Sequence, residues 1–298
     1  MLELLIGLSR FDEADLLMKE GQAKKPGDAR FAVGLAHIAR ARGDHELAAQ
    51  RWAFVRKTFP NVIEGFTFGA QALRELKLLS DAEALTLRTM KRFPNEVIGF
   101  MEYANLAQTQ QNWEQALQRW EVVRLRFDHL SGYTGAGQAL VELARYDEAA
   151  AIYNAGRMRY PTEPAAYFGL AKCAEAQGDV NESINRWKDL AQRLPMHILS
   201  VLECANALED LGARPDAEGI LHEAIDHFID DPRPAMALGD LLLRKHEFSA
   251  AAGVFASARA TFPNEEVLYV RNIEALLQAA NGDKAEALQK EYSKRFKQ

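Results

Sequence analysis

Small, large apolar and proline positions recur along this chain at fixed offsets. The tetrapeptides KTFP (57–60), KRFP (91–94), MRYP (158–161), QRLP (192–195) and ATFP (260–263) mark the period. With Pro26, Pro60, Pro94, Asp128, Pro161, Pro195, Ile229 and Pro263 as anchors, successive separations are 34, 34, 34, 33, 34, 34 and 34 residues. Such regularity marks a repeat array. Twelve residues before each anchor stand Ala14, Ala48, Ala82, Ala116, Ala149, Ser183, Ala217 and Ala251. Twenty-four before come Leu2, Ala36, Ala70, Ala104, Gly137, Ala171, Ala205 and Gly239, small in all but the first. Two small positions twelve residues apart predict two closely packed helices per unit. Eight before the anchors, Met18, Trp52, Trp120, Tyr153, Trp187, Leu221 and Phe255 would fill the space between neighbouring units, with Thr86 the exception. Gly43, Gly178 and Gly212, seventeen before their anchors, can close the first helix in the left-handed conformation, and Asp44 and Asp179 can cap the second.

These residues resemble the tetratricopeptide repeat family, in a bacterial form, whose large residue, Leu-Gly, aromatic, Ala, Phe and Pro recur over 34 positions. The best local matches are Tyr133, Ala136, Gly137, Tyr146, Ala149, Tyr153 and Pro161 in one unit, and Leu238, Gly239, Phe248, Ala251, Phe255, Ala258 and Pro263 in another. Departures are Thr86 and Thr89, Asp128 and Ile229 in place of proline, and a two-residue insertion expected near Asn281 and Gly282. The resemblance implies an all-α fold, a right-handed superhelical solenoid of stacked helix-turn-helix repeats. It would run as one array over 1–298: a partial repeat at 1–26, full repeats at 27–60, 61–94, 95–128, 129–161, 162–195, 196–229 and 230–263, and a C-terminal repeat and cap at 264–298. Met1 falls where the first helix should be half finished, so the expectation is a truncated helix or a piece of a longer polypeptide. Arg51-Trp52, Arg119-Trp120 and Arg186-Trp187 add a two-unit period of 68 and 67 residues, and Trp52, Trp120 and Trp187 are expected to be structural.

The family resemblance implies that first helices line a concave groove. Reading the positions that would project there gives Arg30, His37 and Arg40, then Gln71 and Arg74, Asn105 and Gln108, Gln138, Lys172, Asn206 and Asp240 as the expected peptide- or protein-binding residues. They form a graded surface, basic at Arg30, His37, Arg40 and Arg74, amide-rich through the middle, and acidic towards Glu209, Asp210 and Asp240. Amides carry donors and acceptors and can pair with the backbone of an extended peptide. The Lys-Asn clamp for chaperone tails has no counterpart, since Val33 with His37, Thr67 with Gln71 and Met101 with Asn105 stand at its positions.

Composition narrows the function further. The 298 residues hold 36 Lys plus Arg against 42 Asp plus Glu, a net charge of −6, with 19 basic and 20 acidic side chains in residues 1–149. Neither half attracts a phosphate backbone, so nucleic acid is not an expected partner. Cys173 and Cys204 are far apart and read as buried core thiols, not nucleophiles or staples. His222 and His227 are five residues apart and diverge by roughly 140° on a helix, so they cannot share a zinc ion. No metal, cofactor, catalytic residue, signal peptide or membrane-inserting stretch is expected. The reading is a cytoplasmic, non-catalytic scaffold that binds a protein or extended peptide in its groove. The alternative is the repeat domain of a larger bacterial glycosyl- or sulfotransferase-type enzyme, and a third reading is homo-oligomerisation through the groove or an end unit.

Overall fold

A computed structural model describes residues 1–297. It is helical throughout, with 18 helices and, among the described residues, no strand. The first compact unit, Met1–Met158, holds α1 (Leu2–Gly7), α2 (Phe11–Lys24), α3 (Ala29–Ala41), α4 (His45–Thr58), α5 (Glu64–Glu75), α6 (Leu79–Arg92), α7 (Val97–Thr109), α8 (Trp113–Phe127), α9 (Leu130–Glu142) and α10 (Tyr146–Arg159), the last ending at its boundary. The second, from Arg159 onward, holds α11 (Ala165–Gln177), α12 (Val180–Arg193), α13 (Ile198–Asp210), α14 (Arg214–His227), α15 (Arg233–Arg244), α16 (Phe248–Thr261), α17 (Glu266–Gln278) and α18 (Gly282–Phe296). Odd-numbered helices are the first, and even-numbered the second, of each hairpin.

Each hairpin closes through the same turn. The residue seventeen before the anchor has positive φ in every full repeat: Gly43, Lys77, Gln111, Ala144, Gly178, Gly212 and His246. The N–H of the next residue reaches back five positions, as in Asp44 to Ala39 (3.0 Å), Asn112 to Ala107 (3.0 Å) and Arg145 to Leu140 (2.8 Å). This is the Schellman closure, which satisfies carbonyls that the helix end leaves unpaired. Asp44, Asn112 and Asp179 then cap the second helix by accepting from the N–H three residues on. The expected insertion near Asn281 is absent. Ala280 has φ +55°, the Asn281 N–H bonds the Leu276 carbonyl at 2.9 Å, and the turn has the same geometry as the others.

In the first unit, α1, α3, α5 and α7 each touch the second helix of their own hairpin, Gly137 of α9 lies against Tyr153 of α10, and α1, α3, α5, α7 and α9 also touch one another in succession. The tryptophans carry that stacking. Trp52 is fully buried among Ala36, Ala48 and Val55 of its own hairpin and Ala72 of the next. Trp120 lies among Ala104 and Ala116 of its own hairpin and Ala136 and Ala139 of the next. A Cβ at Gly135 would sit 2.4 Å from the Trp120 ring, so only glycine admits the indole there. Thr86 and Thr89, the polar exceptions, are buried with their hydroxyls donating to Ala82 and Leu85 carbonyls at 2.8 Å. Asp128 takes the left-handed conformation that ends α8 where proline is otherwise found.

The Arg-Trp periodicity has a physical reason within this unit. Arg51 donates to the Leu35 carbonyl and pairs with Asp15 at 2.7 Å, while Arg119 donates to the Tyr103 carbonyl and pairs with Glu83 at 2.8 Å. Both arginines thus tie a first helix of their own repeat to the second helix of the preceding one. In the second unit, α11 to α18 pack sequentially around one cluster that includes Tyr167, Trp187, Leu208, Leu221, Leu238, Phe255 and Leu268.

Candidate functional site

The side chains expected to bind a partner lie on first helices in both units. In the first unit α3 carries Arg30, His37 and Arg40, α5 carries Gln71 and Arg74, α7 carries Asn105 and Gln108, and α9 carries Gln138. The helix contacts place these four helices side by side, so the eight residues lie on neighbouring helices. Their availability differs sharply. Arg30 is exposed and bonded to Asp28 (2.6 Å), which also caps α3 through the Arg30 N–H. Those bonds hold the Asp28 carboxyl down to about 2.

Arg74 is largely buried and donates to Glu102 at 2.8 Å, with Glu75 at 3.0 Å. The Asn105 amide bonds the same Glu102. Burial pushes the Glu102 carboxyl up, and the bonds from Arg74 and Asn105 act against that rise. Gln108 is also engaged internally: its Oε1 accepts from Trp120 Nε1 at 2.8 Å and its Nε2 donates to Gln138 Oε1 at 3.2 Å. Gln138 is exposed and Gln71 half-buried.

His37 sits edge-on to Trp52 and Phe68, with ring centroids 5.0 and 5.2 Å away. Burial, then the charge of Arg40, lowers its pKa. Arg40 is exposed and lies over the Phe68 ring at 4.5 Å, within cation–π range. Among the described residues it forms no ion pair.

In the second unit Lys172 and Asn206 are exposed on α11 and α13. Asp240 on α15 is half-buried, 3.3 Å from Arg271 without hydrogen-bond alignment, and burial pushes its carboxyl up. Glu209 accepts from both Nε and Nη2 of Arg244 across α13 and α15. The charge gradient legible in the sequence is therefore partly consumed internally, because equivalent positions on successive first helices are neighbours and opposite charges there pair. What sequence reasoning misses is Phe68 and the buried Trp52 N–H; comparison of the repeat positions eight and twenty before each anchor could have found the latter.

Both cysteines are buried, and burial pushes the Cys204 thiol up to about 12. Among the described residues no three His, Cys, Asp or Glu side chains gather as a metal-holding group, and no helix is long and apolar enough to cross a membrane.

A family model described as tetratricopeptide repeat matches residues 134–195 and 202–266. This match defines the class of that part of the chain as tetratricopeptide repeats, and stacked helical hairpins of the same kind continue on either side of it. The chain is similar in fold to yeast Tom70, at 14% identity over 94% of this chain and 59% of that one, with a TM-score of 0.61. It is likewise similar to the C-terminal part of a TPR repeat-containing protein from Cytophaga hutchinsonii, at 13% identity over 80% of this chain and 98% of that one, with a TM-score of 0.52. No curated protein sequence matches the chain. A fold of this kind supports a protein–protein interaction scaffold.

Proposed function

We propose that the chain is a non-catalytic scaffold that holds an extended segment of a partner protein along the first helices of its repeats. The observation that carries this reading is the row of amides on α5, α7 and α9, where Gln71, Asn105, Gln108 and Gln138 occupy neighbouring repeat positions. The Gln108–Gln138 hydrogen bond engages the Gln138 side-chain oxygen and leaves its amide nitrogen to donate outward. A peptide backbone offers the matching acceptors at every residue, so recognition would depend weakly on partner sequence. In this reading Arg30, His37, Arg40, Lys172, Asn206 and Asp240 select among partners by charge. Arg74 and Asn105 contribute by holding Glu102, which makes them poor probes, because removing either leaves a buried carboxylate short of a partner.

The informative variant is Gln71→Ala combined with Gln138→Ala, which touches neither the buried carboxylate nor the tryptophans. With a partner first captured by the unaltered chain, the double variant is expected to bind it about tenfold or more weakly, at unchanged melting temperature. Unchanged affinity would remove this row from the binding surface.

A further inference from the structure

In the second unit, α16 presents an outer face unlike those of the second helices beside it. The outward residues of α14 and α18 include Glu223, Asp226, Lys284 and Lys290, whereas those of α16 are Ser249, Ala250, Gly253, Ser257, Ala260 and Thr261. A groove runs along each side of this small-residue face. The one towards α14, about 660 Å³, is walled by Ile225, Phe228, Leu238, Val254 and Phe262 among others. The one towards α18, about 530 Å³, is walled by Ala252, Asn272, Leu276, Ala287 and Leu288 among others. Gly253 lines both grooves, and a Cβ there would meet nothing within 4 Å. Glycine inside a helix is costly relative to alanine, and the packing of this chain does not require one here. Its effect is to leave bare helix backbone between two grooves, where another helix can approach closely.

Asn272, on the floor of the groove towards α18, is an independent observation. It is 2% exposed, at a position that one and two repeats earlier holds Leu238 and Cys204, both 0% exposed. Its Nδ2 donates to the Ala252 carbonyl at 2.6 Å, and its Oδ1 accepts no hydrogen bond. Unlike the Trp52 indole N–H, that oxygen is not sealed in, and the groove is the open space that this side chain borders. A nearly buried amide with a free acceptor on a groove is completed by a donor arriving from outside. Asp226 lines the groove towards α14 and Lys284 the groove towards α18, and neither forms an ion pair among the described residues. The two rims therefore offer opposite unpaired charges.

We infer that this face takes an amphipathic α-helix of a second partner protein, laid along α16 over Gly253. A large apolar side chain of that helix fills the groove towards α14, its small residues meet the Gly253 backbone, and a donor such as glutamine bonds Asn272 Oδ1. A basic residue stands beside Asp226 and an acidic one beside Lys284. This surface goes beyond the extended-segment reading and uses other helices of the chain.

The probe is a synthetic alanine-rich helix of roughly 18 residues, long enough to be helical in isolation. It carries leucine and glutamine at g and e heptad positions on either side of an alanine stripe, with lysine outside the leucine and glutamate outside the glutamine. Its binding to the full chain is followed by fluorescence anisotropy. The expected result is saturable binding, weakened about tenfold or more when the glutamine of the probe is replaced by leucine. Gly253→Leu should abolish binding without lowering the melting temperature. Asn272→Leu restores the residue of the preceding repeat and should raise the melting temperature while erasing the preference for the glutamine probe. The inference is overturned by a probe that does not bind, by binding that survives Gly253→Leu, or by a glutamine preference that persists in Asn272→Leu. A lowered melting temperature in Asn272→Leu also overturns it, since the amide would then serve the fold. Gln71→Ala with Gln138→Ala, in the other unit, should leave this binding unchanged, so the two readings fail separately.

Discussion

Trp120 shows how one residue serves two ends. Its ring fills the space between two hairpins, and its N–H fixes Gln108, which in turn orients Gln138 on the next first helix. Removing the ring in Trp120→Ala leaves a cavity among Ala104, Ala116 and Ala136 and is expected to cost about 3 to 5 kcal/mol in a urea melt. The opposite error, excess volume, can be placed at Gly137, where an added Cβ would lie 2.6 Å from the Tyr153 ring. Gly137→Ala should cost about 1 to 3 kcal/mol through overpacking, and a melt indistinguishable from the parent chain would contradict the contact. The small column and the large column are both visible in the sequence. That Gly137 meets Tyr153, and Gly239 meets Phe255, is a property of how the hairpins lean together. The internal use of Gln108 and Arg74 is illegible for the same reason, since spacing tells which face a side chain takes and not which neighbour claims it.

At the scale of the helical hairpin, the turn is more uniform than its residues suggest. Gly43, Gly178 and Gly212 announce a left-handed closure, but Lys77, Gln111, Ala144 and His246 adopt the same conformation with no glycine to signal it. Nearest-neighbour packing of the two helices and the five-residue back-bond impose the geometry, and the side chain tolerates the strain. Ala144 has φ +57° and is exposed, so a glycine there relieves the strain without removing a contact. Ala144→Gly is expected to stabilise the chain by about 1 kcal/mol in thermal or urea unfolding. A loss of similar size would mean that the turn is not held in this conformation. The same comparison explains the last hairpin, where Asn281 and Gly282 look like inserted residues in the sequence but follow an ordinary turn at Ala280 into α18.

At the scale of the whole molecule, the 34-residue ruler makes the all-helical repeat fold legible from end to end, because eight anchors in register leave few alternatives. The working surface is legible only in outline. First helices can be named from spacing, yet the distinction between an available Gln138 and a committed Gln108 depends on contacts 30 residues apart. The net charge of −6 likewise hides that Arg40 stands without an ion pair among the described residues, whereas Arg30 and Arg74 are paired. The central claim is that the extended partner segment lies on the first helices and not on the second. It is tested most directly by placing a photo-crosslinking residue at Gln138 on α9 and, separately, at Leu125 on α8, which is 70% exposed. With a captured partner bound, crosslinking is predicted at position 138 and not at 125. Crosslinking at 125 with none at 138 would contradict the account.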